Sequence, residues 1–261
     1  MSKEWRSLIF AVTVLIIIGG VSMMPRIRPM VGVLGKFSAD VLFIDPGHGG
    51  IDGGSVGRAG ICEKNINLKI AKHIKGMAEA DGWRVIMSRE IDEGVYEKEI
   101  IKDRGGEHRR SIRSLKSEDL KNRVKMIEKA RPRVSVSIHL NSFKQDPSVR
   151  GAQTFYPKGD SSNEVIMESK LLAETIQSSL VNGLDDGSKR VALPRDGILI
   201  FKDPAYPIVL VECGFLSNPK EEQLLADSGY QKKIATLIYK GIMEYTGKKP
   251  RDPIPIVWGS K

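Results

Sequence analysis

The sequence predicts an α/β fold: a single domain with a mostly parallel central sheet and helices on both of its faces. Short continuous apolar runs, as at residues 41–44 and 208–211, are typical of strands buried on both faces. Longer segments between such runs carry apolar residues at helical spacing. Loops rich in glycine and proline separate the two kinds of segment, which is the alternation that a parallel sheet with crossover helices requires.

The composition fits one globular domain with a terminal appendage. The 261 residues are 41% hydrophobic and 28% charged, which excludes a disordered chain, a collagen and a membrane bundle. The formal net charge of +9 and the isoelectric point of about 9.4 favour polyanionic partners. Nucleic acid, anionic lipid and the anionic bacterial wall all meet this condition, so charge alone does not select among them.

Residues 1–25 are predicted to be a signal peptide or a signal anchor. Lys3 and Arg6 precede an apolar run at residues 8–24 that has no polar face. This run lies at the lower length limit for a membrane-spanning helix, and no A-x-A cleavage site follows it. The pattern predicts export and slightly favours an uncleaved anchor, with cleavage left open. A basic linker is predicted over residues 26–40.

The first part of the folded domain is predicted to be a strand, a loop, a helix and a second strand. The first strand, residues 41–44, enters the loop 45–50, whose proline and glycines neither continue a strand nor start a helix. A helix over residues 64–80 follows, because apolar residues recur there at helical spacing, and Gly82 ends it. Residues 83–88 form the next strand.

Residues 91–116 are rich in charge and poor in large apolar residues, which predicts a long solvated excursion that is partly helical at best. Ser117 is the predicted N-cap of the next helix, with Glu118 and Asp119 in its first turn. That helix is expected to end at Arg131, before a proline. Its buried face should contain Leu120, Val124 and Ile127.

A strand is predicted at residues 134–138, where valine alternates with serine. The period of two places His139 on the side of Ser135 and Ser137, opposite the valines. The remaining predictions are a strand at 152–156, a helix at 163–181, a loop at 182–194 that leads into a segment at 197–201, a strand at 208–212 and a helix at 230–245. The domain spans residues 41–247, and a polar, extended tail covers 248–261. The sequence contains no internal repeat and no appended binding module.

Polar side chains stand where the predicted strands end. His48 follows the first strand, His139 a middle strand and Glu212 the last strand, so they should converge at one edge of the sheet. With Glu63, just before the first helix, the histidines form a known catalytic zinc set that leaves a coordination position for water. A second carboxylate is then needed as acid–base, and Glu212 suits that role. Because no HExxH motif is present, spacing alone does not single out this set.

The four candidate residues lie in four sequence blocks: VLFIDPGHGG at 41–50, EK at 63–64 with NL at 67–68, SIHLNS at 137–142 and VECGFLSN at 211–218. In this order, over roughly residues 41 to 246, the blocks resemble the zinc-dependent N-acetylmuramoyl-L-alanine amidases. The resemblance implies that His48, Glu63 and His139 bind one Zn²⁺ per chain and that Glu212 is the catalytic glutamate. It also implies a mixed sheet flanked by helices. The reaction would be hydrolysis of the amide between the lactyl group of muramic acid and the L-alanine of the stem peptide.

Other features resemble the sporulation and germination-specific branch of this family. They are the short N-terminal hydrophobic segment, the single domain without wall-binding repeats, and the basic stretch 108–111 that leads into 118–124. This branch implies removal of stem peptides from spore-cortex muramic acid for muramic-δ-lactam formation, after which a deacetylase acts. The expected location is extracytoplasmic, membrane-anchored or secreted, in the forespore intermembrane space.

The expected partners are peptidoglycan as substrate, the membrane through residues 1–25, and a sporulation lipoprotein or another activating partner. Nucleic acid is not expected. Two alternatives remain open: a general cell-wall amidase for cell separation or turnover, and a non-catalytic wall-binding scaffold.

Three further polar residues have two interpretations each. Asp45 could orient a ligand imidazole or cap the turn before Pro46, and Asn141 has the same ambiguity. Arg123 could meet substrate carboxylates or form an internal ion pair. The sequence does not decide between these interpretations.

Cys62 and Cys213 are too few for a disulfide framework, and they are expected either as two buried thiols or as one bridge. Cys62 could replace Glu63 as a ligand, whereas Cys213 should point away from the metal. His73 is expected to be an ordinary helix residue and His108 a solvated loop residue.

Overall fold

The computed structural model describes residues 38–97, 101–103, 106–108 and 111–248. The predicted signal segment, the linker up to residue 37 and the tail after residue 248 lie outside these residues. Among the helices in the described ranges, none has the length and apolar character needed to cross a membrane.

The strands within the described ranges are β1 (Ser38–Pro46), β2 (Arg84–Met87), β3 (Ile101–Asp103), β4 (Gly106–His108), β5 (Pro132–Asn141), β6 (Gln153–Pro157), β7 (Leu193–Arg195) and β8 (Ile208–Phe215). The α-helices are α1 (Glu63–Ala80), α2 (Ile112–Ala130), α3 (Glu164–Leu184), α4 (Pro219–Ala226) and α5 (Ser228–Thr246). A short 3-10 helix covers Leu199–Phe201.

Six strands form one sheet in the order β2-β1-β5-β8-β6-β7. Neighbouring strands in it are parallel except for the antiparallel pair β6–β8, so the sheet is mixed and mostly parallel, as predicted. Because β1, β5 and β8 are adjacent and parallel, their carboxyl ends lie side by side at one edge of the sheet. This edge carries the candidate site.

Helices cover both faces of the sheet, which confirms the predicted fold class. The larger core joins one face to α1, α3 and α5; Val136 of β5, Ile70, Ile176 and Ile238 belong to it and are fully buried. The smaller core on the other face contains Phe43, Ile127 of α2, Leu210 and Phe201. Since the valines of β5 face the larger core, the alternation of the strand turns Ser135 and Ser137 toward the smaller one.

Helix α2 begins earlier than predicted, at Ile112, and its N-cap is Ser111 rather than Ser117. The Ser111 side chain accepts a hydrogen bond from the backbone N–H of Ser114 at 3.1 Å. The prediction was wrong because the opening turns of α2 are solvent-exposed, so they lack the apolar period by which a buried helix is recognised. Consequently Glu118 and Asp119 are not in the first turn.

The buried face of α2 also differs from the predicted one. Leu120 is 44% exposed, whereas Asp119 and Arg123 are buried together with Ile127. The prediction assigned the apolar residues to the interior, but the helix turns a charged pair inward, where both groups find partners beneath the candidate site.

Three other segments differ from the predictions. The predicted loop 182–194 includes the end of α3 and the start of β7, and the segment 197–201 contains the 3-10 helix. Helix α4 was not predicted; Pro219 is its first residue, and the Asn218 side chain accepts from the N–H groups of Lys220 and Glu221. The antiparallel hairpin β3–β4 lies in the segment 91–116, so His108 belongs to a strand and not to a loop.

Candidate metal centre

The loop after β1 carries His48 in a conformation that side chains rarely adopt. His48 has φ of 62°, and Gly49 and Gly50 after it also have positive φ. The residue before it must be small, since a Cβ on Gly47 would lie 2.2 Å from the ring of His139. This close approach explains the glycine before His48, and the positive φ angles explain the two glycines after it.

Three predicted ligands converge at the edge of the sheet. His48 Nε2 lies 3.1 Å from Glu63 Oε1, and His139 Nδ1 lies 3.2 Å from the same oxygen. One ligand atom from each of the three residues lies within 4.8 Å of the others. Atoms bound tetrahedrally to one zinc ion at about 2.1 Å are separated by roughly 3.4 Å, so this spacing fits a single cation.

Glu63 is the first residue of α1, and backbone groups fix its carboxylate. Oε2 accepts from the N–H of Ser55 at 2.8 Å, and Oε1 accepts from the N–H of Leu140 at 2.9 Å. Burial opposes the charge, but hydrogen bonds with His139 and His48 outweigh it and hold the pKa of Glu63 well below its usual range. The carboxylate is therefore ionised and directed between the two imidazoles.

Asp52 holds the other side of the His48 ring. His48 Nδ1 lies 2.9 Å from Asp52 Oδ2, and Lys116 Nζ lies 2.7 Å from Asp52 Oδ1. Because a carboxylate only accepts, Asp52 keeps a proton on Nδ1, and Nε2, which faces Glu63, is the nitrogen whose proton a metal would displace. Burial lowers the pKa of His48, but the hydrogen bonds with Asp52 and Glu63 outweigh it and raise that pKa to about 9.

Sequence reasoning missed Asp52 and considered Asp45 for a similar task. The available signal was a carboxylate four residues after His48 in a glycine-rich loop, which is common in turns without any metal. The structure places Asp45 elsewhere: its carboxylate accepts from Ser88 Oγ at 2.6 Å, from Ser137 Oγ at 2.7 Å and from Arg123. Burial opposes its charge, but Arg123 lowers the pKa of Asp45 to about 2.

Arg123 forms the internal ion pair that was one of its two interpretations. Its side chain is 2% exposed and pairs with Asp45 and Asp119. Its guanidinium also donates to the carbonyl of Pro46 at 2.9 Å and to that of His48 at 2.7 Å. Buried in this way, Arg123 supports the loop from below and does not face the open site.

Arg89, which no sequence motif indicates, binds the same loop. It donates to the carbonyl of Pro46 at 3.0 Å, to that of Gly47 at 2.9 Å and to that of Lys64 at 2.9 Å. Two buried guanidinium groups therefore satisfy carbonyls that the unusual backbone around His48 leaves without secondary-structure partners.

Glu212 lies on β8 directly opposite His139 in the strand register. Its Oε2 is buried and has no hydrogen-bond partner among the described residues. Burial raises the pKa of Glu212, and the charge of Glu63 acts in the same direction against the opposing effect of His139. An unpartnered carboxyl oxygen with a raised pKa beside the ligand cluster is suited to accept and return a proton.

Asn141 and the cysteines lie outside the ligand cluster. Asn141 Oδ1 accepts from the N–H of Ser142 at 2.8 Å, so its side chain stabilises the turn after β5. Both cysteines are free thiols; Cys213 is buried in the larger core, and the Cys62 sulfur lies 4.0 Å from the carbonyl of Gly60. His73 lies partly buried on α1.

The donor set fits a divalent cation of the zinc type. Two imidazole nitrogens and one carboxylate oxygen are ligands that zinc accepts, and three protein ligands leave a position for water or substrate. The Asp52 carboxylate behind His48 and the backbone donors behind Glu63 are the outer contacts that such sites use to orient their ligands.

The sequence profile of the N-acetylmuramoyl-L-alanine amidase family, Amidase_3, matches residues 42–244. The chain is 36% identical over 218 residues to the germination-specific N-acetylmuramoyl-L-alanine amidase of Bacillus subtilis, covering 83% of this chain and 84% of that protein. It is 28% identical over 242 residues to the amidase AmiA of Escherichia coli, covering 78% and 75%.

A solved structure shares the fold. It is the CwlD amidase of Clostridioides difficile in complex with the GerS lipoprotein, which superimposes with a TM-score of 0.72 at 40% sequence identity. The match covers 80% of this chain and 100% of that one.

Proposed function

The chain belongs to the N-acetylmuramoyl-L-alanine amidase family, and from this premise we propose that its activity depends on a zinc ion held by His48, Glu63 and His139. As an N-acetylmuramoyl-L-alanine amidase, the protein hydrolyses the amide that joins the lactyl group of muramic acid to L-alanine in peptidoglycan. The observation that carries the proposal is the convergence of the three ligand atoms within 4.8 Å.

The ligands and their supports have separate tasks. His48 presents Nε2 because Asp52 holds the proton on Nδ1. Glu63 supplies the negative charge that balances part of the charge of a divalent ion. When bound, zinc acidifies water and stabilises negative charge on the oxygen of the scissile amide.

Glu212 moves the proton. As the water oxygen attacks the amide carbonyl carbon, the Glu212 carboxylate accepts a proton from that water. When the C–N bond breaks, Glu212 returns the proton to the departing nitrogen of L-alanine, so that one carboxyl group serves as base and then as acid. The buried position that raises the pKa of Glu212 makes it a stronger base in the first step.

The biological setting is spore-cortex maturation. The similarity to a germination-specific amidase supports this role, in which stem-peptide removal prepares muramic acid for δ-lactam formation. Because peptidoglycan lies outside the cytoplasmic membrane, the enzyme acts extracytoplasmically. Residues 1–25 take it there as a signal peptide or anchor, and the forespore intermembrane space is the compartment that fits.

A lipoprotein partner is part of the proposal. A structure with 40% sequence identity was solved as a complex with a lipoprotein. A partner of this kind would bring the enzyme to the cortex.

The decisive experiment compares the wild type with Glu212→Gln on purified peptidoglycan. We expect the wild type, with one zinc per chain, to release peptides that begin with L-alanine. Glu212→Gln should keep its zinc and lose activity at least about 100-fold, because the proton acceptor is gone. His139→Ala should lose zinc and activity together. Both assays are repeated with the candidate lipoprotein present.

Two outcomes would contradict the proposal. A Glu212→Gln enzyme with full activity would remove Glu212 from the mechanism. Zinc-loaded wild type that binds the wall but releases no peptide, even with the lipoprotein, would favour a scaffold.

The cellular role has its own test in a deletion strain. Spores without muramic-δ-lactam would support the cortex role. Chained cells with normal cortex would instead indicate a general wall amidase.

A further inference from the structure

The sheet face that carries Glu212 also carries an arginine that has no charged partner within the described part of the chain. Resting on the proposed function, we propose that Arg195 binds the free α-carboxylate of the second stem-peptide residue and thereby selects stems in which that carboxylate is not amidated. In peptidoglycan the D-glutamate after L-alanine is joined through its γ-carboxyl, which leaves this α-carboxylate free. Arg195 is thus assigned as a specificity-determining residue.

Arg195 lies opposite Pro157 of β6, and its side chain reaches back to Phe155, two residues nearer to Glu212 in the register. Glu212 of β8 lies opposite Gln153 of β6, and Phe155 follows Gln153 by two residues on the same face of the sheet. The guanidinium carbon of Arg195 lies 4.7 Å from the centroid of the Phe155 ring. Burial raises the pKa of Glu212, and the positive charge of Arg195 is among the effects that oppose that rise.

The guanidinium of Arg195 is held in place by stacking but forms no ion pair with the described residues. No carboxylate of the described residues lies within 4.0 Å of it, and its neighbour Asp196 pairs with Lys158 at 3.4 Å. Phe155 is buried, so it offers a fixed surface on which the planar group stacks. Stacking occupies one face of the guanidinium and leaves its edge N–H donors directed outward.

The other arginines near the site are already engaged. Arg190 stacks on Phe215 at 5.1 Å, but it donates to the Arg150 carbonyl at 2.9 Å and to Gln153 Oε1 at 3.2 Å. Arg123, the sequence-based candidate for substrate carboxylates, is 2% exposed. Arg195 is therefore better placed than Arg123 to bind a substrate carboxylate.

The dimensions of the substrate match this arrangement. An extended peptide advances about 3.3–3.6 Å per residue, so the second stem residue lies roughly 7 Å from the scissile bond. Gln153 and Phe155 are separated by a similar distance along β6, since two strand residues span roughly 6.6 Å. A stem that leaves Glu212 toward β6 therefore brings its first free carboxylate to Arg195, which can bind it with two parallel hydrogen bonds.

The test uses two synthetic glycan–peptide fragments that differ only at the second stem residue, which carries an α-carboxylate in one and a carboxamide in the other. We expect the zinc-loaded wild type to prefer the carboxylate fragment about 10-fold to 100-fold in kcat/KM, mainly through KM. Arg195→Gln should bring kcat/KM for the carboxylate fragment close to that for the carboxamide fragment. Arg195→Lys should restore part of the preference, because it keeps the charge without the planar fork.

The matched control is Lys158→Gln, which removes an exposed cation from the same end of β6 and should keep the wild-type ratio. Equal kcat/KM for both fragments in the wild type, or an undiminished preference in Arg195→Gln, would overturn the inference while the amidase mechanism stands. A binding measurement gives the same test without hydrolysis. It compares the affinities of Glu212→Gln and of the double variant Glu212→Gln/Arg195→Gln for the two uncut fragments. If the wild type bound the carboxylate fragment preferentially but hydrolysed neither fragment, the result would count against the amidase mechanism and not against the role of Arg195.

Discussion

His48 is restrained from two directions, and neither restraint involves a neighbour in the sequence block that identifies it. Asp52 binds the ring at Nδ1, while Arg123 binds the main-chain carbonyl from below. The first contact sets the tautomer and the direction of Nε2, and the second supports a backbone with positive φ. Metal affinity should depend on the first contact more directly than on the second.

The first prediction concerns Asp52→Asn. The amide keeps the size of the side chain but removes the charge that stabilises the Nδ1–H donor, so we expect zinc affinity to fall about 10-fold to 100-fold. Competition with a chelator measures this. Asp146→Asn is the control, because Asp146 is an exposed carboxylate that, among the described residues, accepts hydrogen bonds only from Ser148. Equal zinc affinity in wild type and Asp52→Asn would contradict the assignment.

The ligand residues were predictable from the sequence, whereas their supports were not. His48, Glu63, His139 and Glu212 lie at strand and helix ends inside distinctive blocks, so position and residue type together indicate them. The choice between Asp45 and Asp52 as the partner of an imidazole depends on which carboxylate faces the ring in space. Neither spacing nor composition carries that information.

Helix α2 shows the same limit for a whole element. Ser111 and Ser117 both satisfy the residue preference for an N-cap, and the apolar period that separates helix from loop begins only later. The additional turns matter for the site, because Lys116 in them reaches Asp52 at 2.7 Å. The strands, by contrast, were predicted well where apolar runs made them buried on both faces.

The second prediction distinguishes these two caps. Ser111→Ala should lower the free energy of unfolding by about 1 kcal/mol, because the N–H of Ser114 loses its acceptor. Ser117→Ala should be neutral or slightly stabilising, since alanine is the better residue inside an exposed helix. Urea unfolding of both variants measures the difference. A larger loss of unfolding free energy in Ser117→Ala than in Ser111→Ala would indicate that Ser117, as the sequence predicts, is the N-cap that stabilises the helix.

Across the whole molecule, one buried carboxylate joins four elements below the site. Asp45 at the end of β1 binds Ser88 after β2, Ser137 of β5 and Arg123 of α2. The parallel order β2-β1-β5 brings Asp45, Ser88 and Ser137 together, and the inward face of α2 supplies the Arg123 cation. An unpaired charge in this position would be costly, so the network should contribute to global stability as well as to the site.

The third prediction is that Asp45→Asn lowers the free energy of unfolding by about 3 kcal/mol near neutral pH, because Asp119 is then the one carboxylate among the described residues that still pairs with the buried Arg123. The folded-state pKa of Asp45, about 2, lies below its usual 3.8. Its ionic contribution is therefore complete above 3.8 and is lost as the pH falls toward about 2. Urea unfolding of the zinc-free wild type and variant at several pH values measures this.

The difference in the free energy of unfolding between the wild type and Asp45→Asn should thus be constant from neutral pH to about pH 4.5. It should shrink at lower pH, since the asparagine variant has no proton to gain at this position. Asp196→Asn is the control: its carboxylate is 79% exposed in a pair with Lys158, so the change should stay within about 0.5 kcal/mol. If this difference in the free energy of unfolding stayed unchanged to the lowest pH, packing at residue 45, and not the charge of Asp45, would be what stabilises the contact between these elements.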